Sequence, residues 1–235
     1  MTSLKHFALL SVALAAGAAS AATQPLNPVT DSYVTLNTAV LSDNSFTATA
    51  LGASTYNGTT GKLTDAITSV TTTTSPGALT VNYDNASGLS LRGSLSGLGV
   101  TVNMTGFFYD AGTNTLFGDL AVNTLLGNAS YANQAILVAG TEIGTLGTNS
   151  INSVTTSTAP RDLNYTLSNF TIAADLNTKL GGLAPRFAWL PSAVTSVVAY
   201  TKPSAAVPEP STYALMGLGL VGIAAVSRRR MADNA

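Results

Sequence analysis

Between residues 22 and 206, apolar side chains recur at every second position in short runs, and Gly, Asn, Asp and Pro separate the runs. A period of two is the mark of strands with one buried face. Residues 32–40 form a run rich in Thr and Val. Leu79, Val81 and Tyr83 share a face, as do Leu89, Leu91, Gly93 and Leu95. Val100, Val102 and Met104 begin a further run, and Leu116, Gly118, Leu120 and Val122 alternate against Phe117, Asp119 and Ala121. Residues 135–139 are wholly apolar. Leu163, Tyr165 and Leu167 alternate, then Phe170 and Ile172 shift phase, which predicts a bulge. Residues 194–200 read as a closing strand.

The best-defined hairpin spans residues 106–122. Asp110-Ala111-Gly112-Thr113-Asn114 supplies a turn-forming cluster between two apolar arms. Helical signals are few. Residues 171–180 predict a short helix stopped by Gly181-Gly182, and residues 63–70 are ambiguous. The pattern predicts a mainly β body over residues 22–200, an antiparallel β-sandwich or barrel-like fold. A β-solenoid would show a repeat of fixed period, and none is present. Residues 201–206, with Pro203, read as a linker.

The two ends follow different rules. Lys5 precedes an apolar run over residues 7–16, and Ala19-Ser20-Ala21 forms an A-x-A site. This predicts a signal-peptide helix over residues 1–21, removed by signal peptidase after passage through the Sec translocon, with Ala22 as the new N-terminus. The run is short of the ~20 residues that a spanning helix needs. At the other end, Val207-Pro208-Glu209-Pro210-Ser211 precedes residues 212–226, which carry no charge, and then Ser227 and Arg228-Arg229-Arg230.

That tail resembles the PEP-CTERM sorting signal of Gram-negative bacteria, a segment also called the ice-binding protein C-terminal domain. The resemblance covers residues 207–230. It implies a sorting motif at Val207, Pro208, Glu209 and Pro210, a transmembrane helix over 212–226, and a membrane stop at Arg228, Arg229 and Arg230. It implies an exosortase as partner. Two prolines flanking Glu209 hold the chain extended, in the form a processing enzyme can take up. The arginines stay cytoplasmic by the positive-inside rule, as Lys5 does from the other end. Fifteen residues rise about 22 Å against a bilayer core of about 30 Å, so the anchor suits a temporary inner-membrane intermediate. The body is then expected at the cell surface or outside the cell.

Composition narrows the chemistry. The chain has 235 residues, no Cys, and a single His, His6, inside the signal peptide. Removing that peptide leaves a body without His-based or thiol-based catalysis, and without His- or Cys-held zinc or haem. A net charge of −1 argues against a nucleic-acid partner. Nine acids remain in the body: Asp31, Asp43, Asp65, Asp84, Asp110, Asp119, Glu142, Asp162 and Asp175. A glycosidase would need two of them facing across a cleft, and their spacing predicts no such pair. Asp84-Asn85, Asp110 with Asn114, and Asp119 carry hard oxygens suited to calcium, but no calcium-loop spacing is present and Asx turns are the expected use.

No catalytic, cofactor-binding or metal residue is therefore predicted. Gly217-Leu218-Gly219-Leu220-Val221-Gly222 matches a dinucleotide fingerprint but lacks the flanking strand and downstream acid. Thr is abundant without the ranked spacing of an ice-binding face. Phe107, Phe108 and Tyr109 are expected in core and strand surface, and Trp189 as an anchor at the end of the body. The composition suits an exported, non-enzymatic surface or matrix protein associated with exopolysaccharide and biofilm. The alternative is a secreted carbohydrate-binding or carboxylate-based glycan-active module.

Overall fold

The alternating runs become strands of one antiparallel sheet in a computed structural model of the chain. The structure describes the backbone of residues 21–201 except 96 and 126, and the side chains of these except 30, 31, 95 and 181–183. Along the chain come β1 (Ala22–Thr23), β2 (Val29–Leu36), α1 (Thr38–Asp43), β3 (Phe46–Leu51), β4 (Thr55–Asn57), β5 (Lys62–Thr64) and β6 (Ile67–Thr72). Then follow β7 (Leu79–Tyr83), β8 (Gly88–Leu95), β9 (Leu98–Asp110), β10 (Thr115–Thr124), β11 (Gly127–Leu146) and β12 (Asn149–Ser150). The body ends with β13 (Leu163–Ile172), α2 (Ala174–Leu180), a 3-10 segment (Gly181–Phe187), α3 (Leu190–Ala193) and β14 (Val194–Thr201).

The strand order is β1-β6-β7-β9-β10-β11-β13-β14-β2-β5-β4, with β8 and β3 branching from β9. The branch exists because β9 is long. Its first half, through Thr105, pairs with β8, while Phe108, Tyr109 and Asp110 pair with β7. Register shifts on both flanks of β10, near Phe117 and Gly118, bend the centre of the sheet. The result is a curled half-barrel.

Its two ends are joined by the chain itself. β5 pairs with β2 at one end of the order, and β6 pairs with β7 near the other. Only Asp65 and Ala66 lie between them. The Asp65 N–H donates to Ser32 O of β2 at 3.1 Å, and Ala66 O accepts from Asp84 N, just past β7, at 3.0 Å. These two residues form a seam that brings the ends of the sheet together.

The core fills the inside of the curl. Leu79, Val81, Leu91, Tyr109, Ile136 and Leu167 are at most 1 % exposed, and Leu79, Val81, Leu91 and Leu167 come from apolar positions of the alternation. Leu176, Phe187 and Leu190 close one end of it. The predicted helix 171–180 starts late, at Ala174, because residues through Ile172 pair in β13, but α2 ends at Leu180 before Gly181-Gly182 as the sequence predicts, and the chain runs on through a 3-10 segment into α3. The predicted run 32–40 also divides. β2 ends at Leu36, and Asn37 caps α1 by accepting from Ala39 N at 3.1 Å and Val40 N at 3.3 Å. The ambiguous residues 63–70 are strand on both sides of the seam.

The hairpin over 106–122 forms as predicted, with Asn114 at φ 53° in its turn. The phase shift in β13 is not a bulge. Its register with β11 is constant, and the change of face is taken up by Asn169 at φ 56°, opposite Gly140. A Cβ on Gly140 would meet Asn169 O at 2.7 Å, so this crossing requires glycine. Trp189 anchors as expected, with its ring 4.9 Å from Phe46 and 6.3 Å from Phe187. Phe107 and Tyr109 are core, whereas Phe108 stacks on Phe117 at 4.8 Å.

The predicted signal-peptide helix and the predicted transmembrane helix both lie outside the described residues. Among the described residues, no helix is long and apolar enough to cross a membrane.

Candidate functional site

The predicted sorting residues Val207, Pro208, Glu209 and Pro210, the membrane stop Arg228, Arg229 and Arg230, and Ala19 of the cleavage site all lie outside the described residues. Ala21 is exposed, and Ala22 begins β1, paired with Thr72 of β6. A cut after Ala21 would leave that short edge strand whole.

Most of the described carboxyls of the body act as local braces. Asp110 caps its own turn, accepting from Gly112 N at 3.0 Å and Thr113 Oγ1 at 2.8 Å. Asp119 accepts from Asn133 N at 2.8 Å. Asp84 accepts from Ser87 Oγ at 2.5 Å. Asp162 accepts from Asn27 Nδ2 at 2.8 Å and Thr201 Oγ1 at 3.1 Å. Asp175 pairs with Lys179 at 3.1 Å and with Gln134 at 3.0 Å. Those two bonds, Gln134 first, hold the Asp175 carboxyl below the usual range. Asp43 ends α1 and is exposed. Among the described residues, no three His, Cys, Asp or Glu side chains gather as a metal site.

Two acids stand apart. Glu142 belongs to a polar network within the curl. It accepts from the Tyr109 hydroxyl and, at 2.5 Å, from Asn152 Nδ2. Asn114, with its amide oriented to satisfy both ends, adds a donor at 3.0 Å. The Tyr109 ring stacks on Tyr165 at 5.9 Å, and the Tyr165 hydroxyl bonds that of Tyr83. Burial pushes Tyr83 up to about 12 and also raises Tyr109 and Tyr165 well above the usual phenol range. These phenols are neutral structural pins.

Asp65 is the other, and it sits on the seam. Its side chain is 5 % exposed. Oδ1 accepts from the N–H of Ala66 at 2.8 Å, while Oδ2 makes no hydrogen bond among the described residues. Burial pushes this carboxyl up to about 6. The charge of Asp84 adds to the rise, and the Ala66 N–H and the neighbouring Ser54 hydroxyl oppose it. The hydroxyls of Ser32 and Ser54, 4 % and 8 % exposed, also lack hydrogen-bond partners among the described residues.

These oxygens have almost no accessible surface, and the protein's own groups lie beside them, Ser54 beside Asp65 and Tyr83 beside Ser32. Asp65 and Ser32 line a concavity of about 640 Å³ bounded by β2, β6 and the segment after β1. Its floor mixes Leu26, Ile67 and Val70 with the polar groups of Asn27, Thr64 and Ser69. Sequence reading includes Asp65 among nine acids without distinguishing it. The one available signal is its place between two short strand runs, where a turn acid would otherwise be solvated.

The family model for the PEP-CTERM protein-sorting motif matches residues 206–230. The chain therefore carries a sorting motif that marks an exported protein targeted to an exosortase, with a membrane-associated intermediate before the surface. No curated protein and no solved structure matches the chain.

Proposed function

We propose that this protein is exported through the Sec translocon, cut by signal peptidase between Ala21 and Ala22, and held in the inner membrane by residues 212–226. Arg228, Arg229 and Arg230 keep the tail end cytoplasmic until the exosortase cuts near Pro208–Pro210. The β body then works at the surface or in the extracellular matrix of a Gram-negative bacterium, as a non-enzymatic component associated with exopolysaccharide and biofilm. The match of the sorting motif to residues 206–230 carries the export half of this reading. The use of the Asp110, Asp119, Asp84, Asp162 and Asp175 carboxyls in bonds within the body supports the non-enzymatic half.

Intact-mass measurement of protein recovered from cells tests the route. The expected mass lacks residues 1–21 and the arginine tail, and the tail returns when the exosortase is deleted. A mature mass that retains Arg228, Arg229 and Arg230 in exosortase-bearing cells would overturn the transient anchor. The alternative of a glycan-binding body is favoured by one observation, the concavity at Asp65.

A further inference from the structure

We propose that the adjacent ends of the β8–β9 and β10–β11 hairpins dock the body on a lipid bilayer while the tail anchors it. Leu95 pairs with Leu98 at the end of one hairpin, and Thr124 pairs with Gly127 at the end of the other. Thr124 also pairs with Val100, two residues past Leu98, so the two ends lie side by side. They display leucine instead of burying it. Leu125 is 80 % exposed and Leu98 is 40 % exposed. A Cβ built on Gly97, Gly99 or Gly127 meets nothing within 4 Å, so the described chain leaves these ends uncovered. A scattered exposed leucine needs no explanation, but these two stand on neighbouring turns.

Charge decides what can cover them. Residues 93–109 and 120–141 carry no Asp, Glu, Lys or Arg. Nothing ionised is dehydrated when the ends leave water. Thr124 Oγ1 donates to Gly127 O at 2.8 Å and satisfies a carbonyl of the turn. The first charge along these four strands is Arg92, exposed on β8 opposite Thr101. Thr101 is three residues from Leu98, about 10 Å along the strand. Interfacial segments sink about 5–10 Å into the boundary between headgroups and acyl chains. Leucines seated there put Arg92 at the level of the lipid phosphates, which a guanidinium pairs with well.

The bilayer is also the surface that this chain meets. Its sorting motif marks a membrane-associated intermediate. The last described residue, Thr201, lies by Leu163, which pairs with Leu146 at the end of β11 opposite Gly127. Tail and hairpin ends therefore hold the body at two separate points. Two leucines are too few to keep a free protein on a bilayer, because binding scales with buried apolar area. A tethered body meets the surface at an effective concentration of about millimolar, where a weak contact is populated. Cutting the tail removes the tether, and the body lets go. The docking rests on the anchored intermediate of the export reading, and the experiment separates the two.

The chain has no Cys, so one reporter can be placed on the full-length protein. Ser94→Cys, exposed and paired with Gly99, carries an environment-sensitive fluorophore at the hairpin ends and leaves both leucines in place. Thr113→Cys carries it in the turn at the far end of β9 and β10. The labelled chains are reconstituted with phosphatidylcholine vesicles, floated, and quenched with spin-labelled lipid. Flotation with lipid quenching at position 94, and none at position 113, is expected. Leu125→Ser is expected to lower the ratio of docked to undocked body about tenfold, the partition of one leucine. Flotation without quenching at position 94, or quenching that Leu125→Ser leaves unchanged, overturns the docking alone. Failure to float overturns the anchor and the docking with it. A blue shift at position 94 that grows with protein concentration in the absence of lipid would show a second copy covering the ends, and that also overturns the docking.

Discussion

The phenolic oxygens of Tyr83 and Tyr165 share a hydrogen bond, although β7 and β13 are separated in the sheet by β9, β10 and β11. In a flat sheet those strands would lie about 19 Å apart, at about 4.8 Å per step. The bond therefore measures the curl. Tyr109, from β9, stacks on Tyr165 and ties the same contact to Glu142.

Removing one hydroxyl leaves the other buried without that partner. Tyr83→Phe or Tyr165→Phe alone is expected to cost about 1–3 kcal/mol, and the double variant less than the sum of the two. Urea unfolding of the four proteins closes the cycle. Strictly additive losses would mean that the hydroxyls do not support each other.

Asp65 makes stability depend on pH in the direction opposite to a salt-bridged acid. Its folded pKa is raised from 3.8 to about 6. Above about pH 6 it is ionised in both states and the burial penalty is fully present. As pH falls from about 6 toward 4, the folded protein takes up a proton that the unfolded chain does not, and the penalty is relieved. Asp65→Asn is expected to stabilise the fold at pH 7 by about 1–2 kcal/mol. It should also remove about 1 kcal/mol of the stability that the parent gains between pH 7 and 5. Denaturant midpoints at the two pH values check both signs, and a variant less stable at pH 7 would contradict the account.

Gly61 holds the turn between β4 and β5 against β2. Its φ is +69°, its carbonyl accepts from Leu36 N at 2.7 Å, and an added Cβ would meet Leu36 O at 2.0 Å. Gly61→Ala is expected to cost at least about 2 kcal/mol. Gly58→Ala, three residues earlier, meets nothing nearer than a Tyr56 ring atom at 3.8 Å and should change stability by less than about 0.5 kcal/mol. Comparing the two midpoints separates backbone geometry from a general loss of glycine freedom.

Phe46 packs on the single tryptophan, Trp189, and on Phe187 where α2 and α3 close the core. Phe46→Ala is expected to cost about 3–5 kcal/mol. It should also shift the Trp189 emission to the red, because water reaches the ring. An unchanged spectrum with a large loss of stability would place the damage elsewhere.

Much of the fold was legible in advance because strand alternation is local. Leu79, Val81, Tyr83, Leu89, Leu91, Val100, Val102 and Met104 are all buried on the face that their spacing predicts. The helical boundaries were less legible. The stop of α2 before Gly181 was legible, but nothing near it announces that Phe187 and Leu190, past the 3-10 segment, will be buried. The Thr- and Val-rich run around Asn37 reads as continuous strand, and the cap that Asn37 makes on α1 emerges only in the fold. Asp65 was the least legible, since nothing in the residues beside it says that Ser32, thirty-three positions earlier, will lie beneath its backbone N–H.

The sequence alone determined the address of this protein and the limits of its chemistry. An A-x-A site, a Pro-Glu-Pro turn, an apolar stretch and an arginine cluster are linear signals, read in an extended or helical segment without help from the rest of the chain. That the single histidine, His6, lies outside residues 22–206 is likewise settled by composition. The tertiary structure set Asp65 apart from the other described acids of the body. Burial, an unfilled acceptor and a raised pKa arise only when β2, β5, β6 and β7 meet at the seam, and that meeting depends on pairings between residues far apart in sequence.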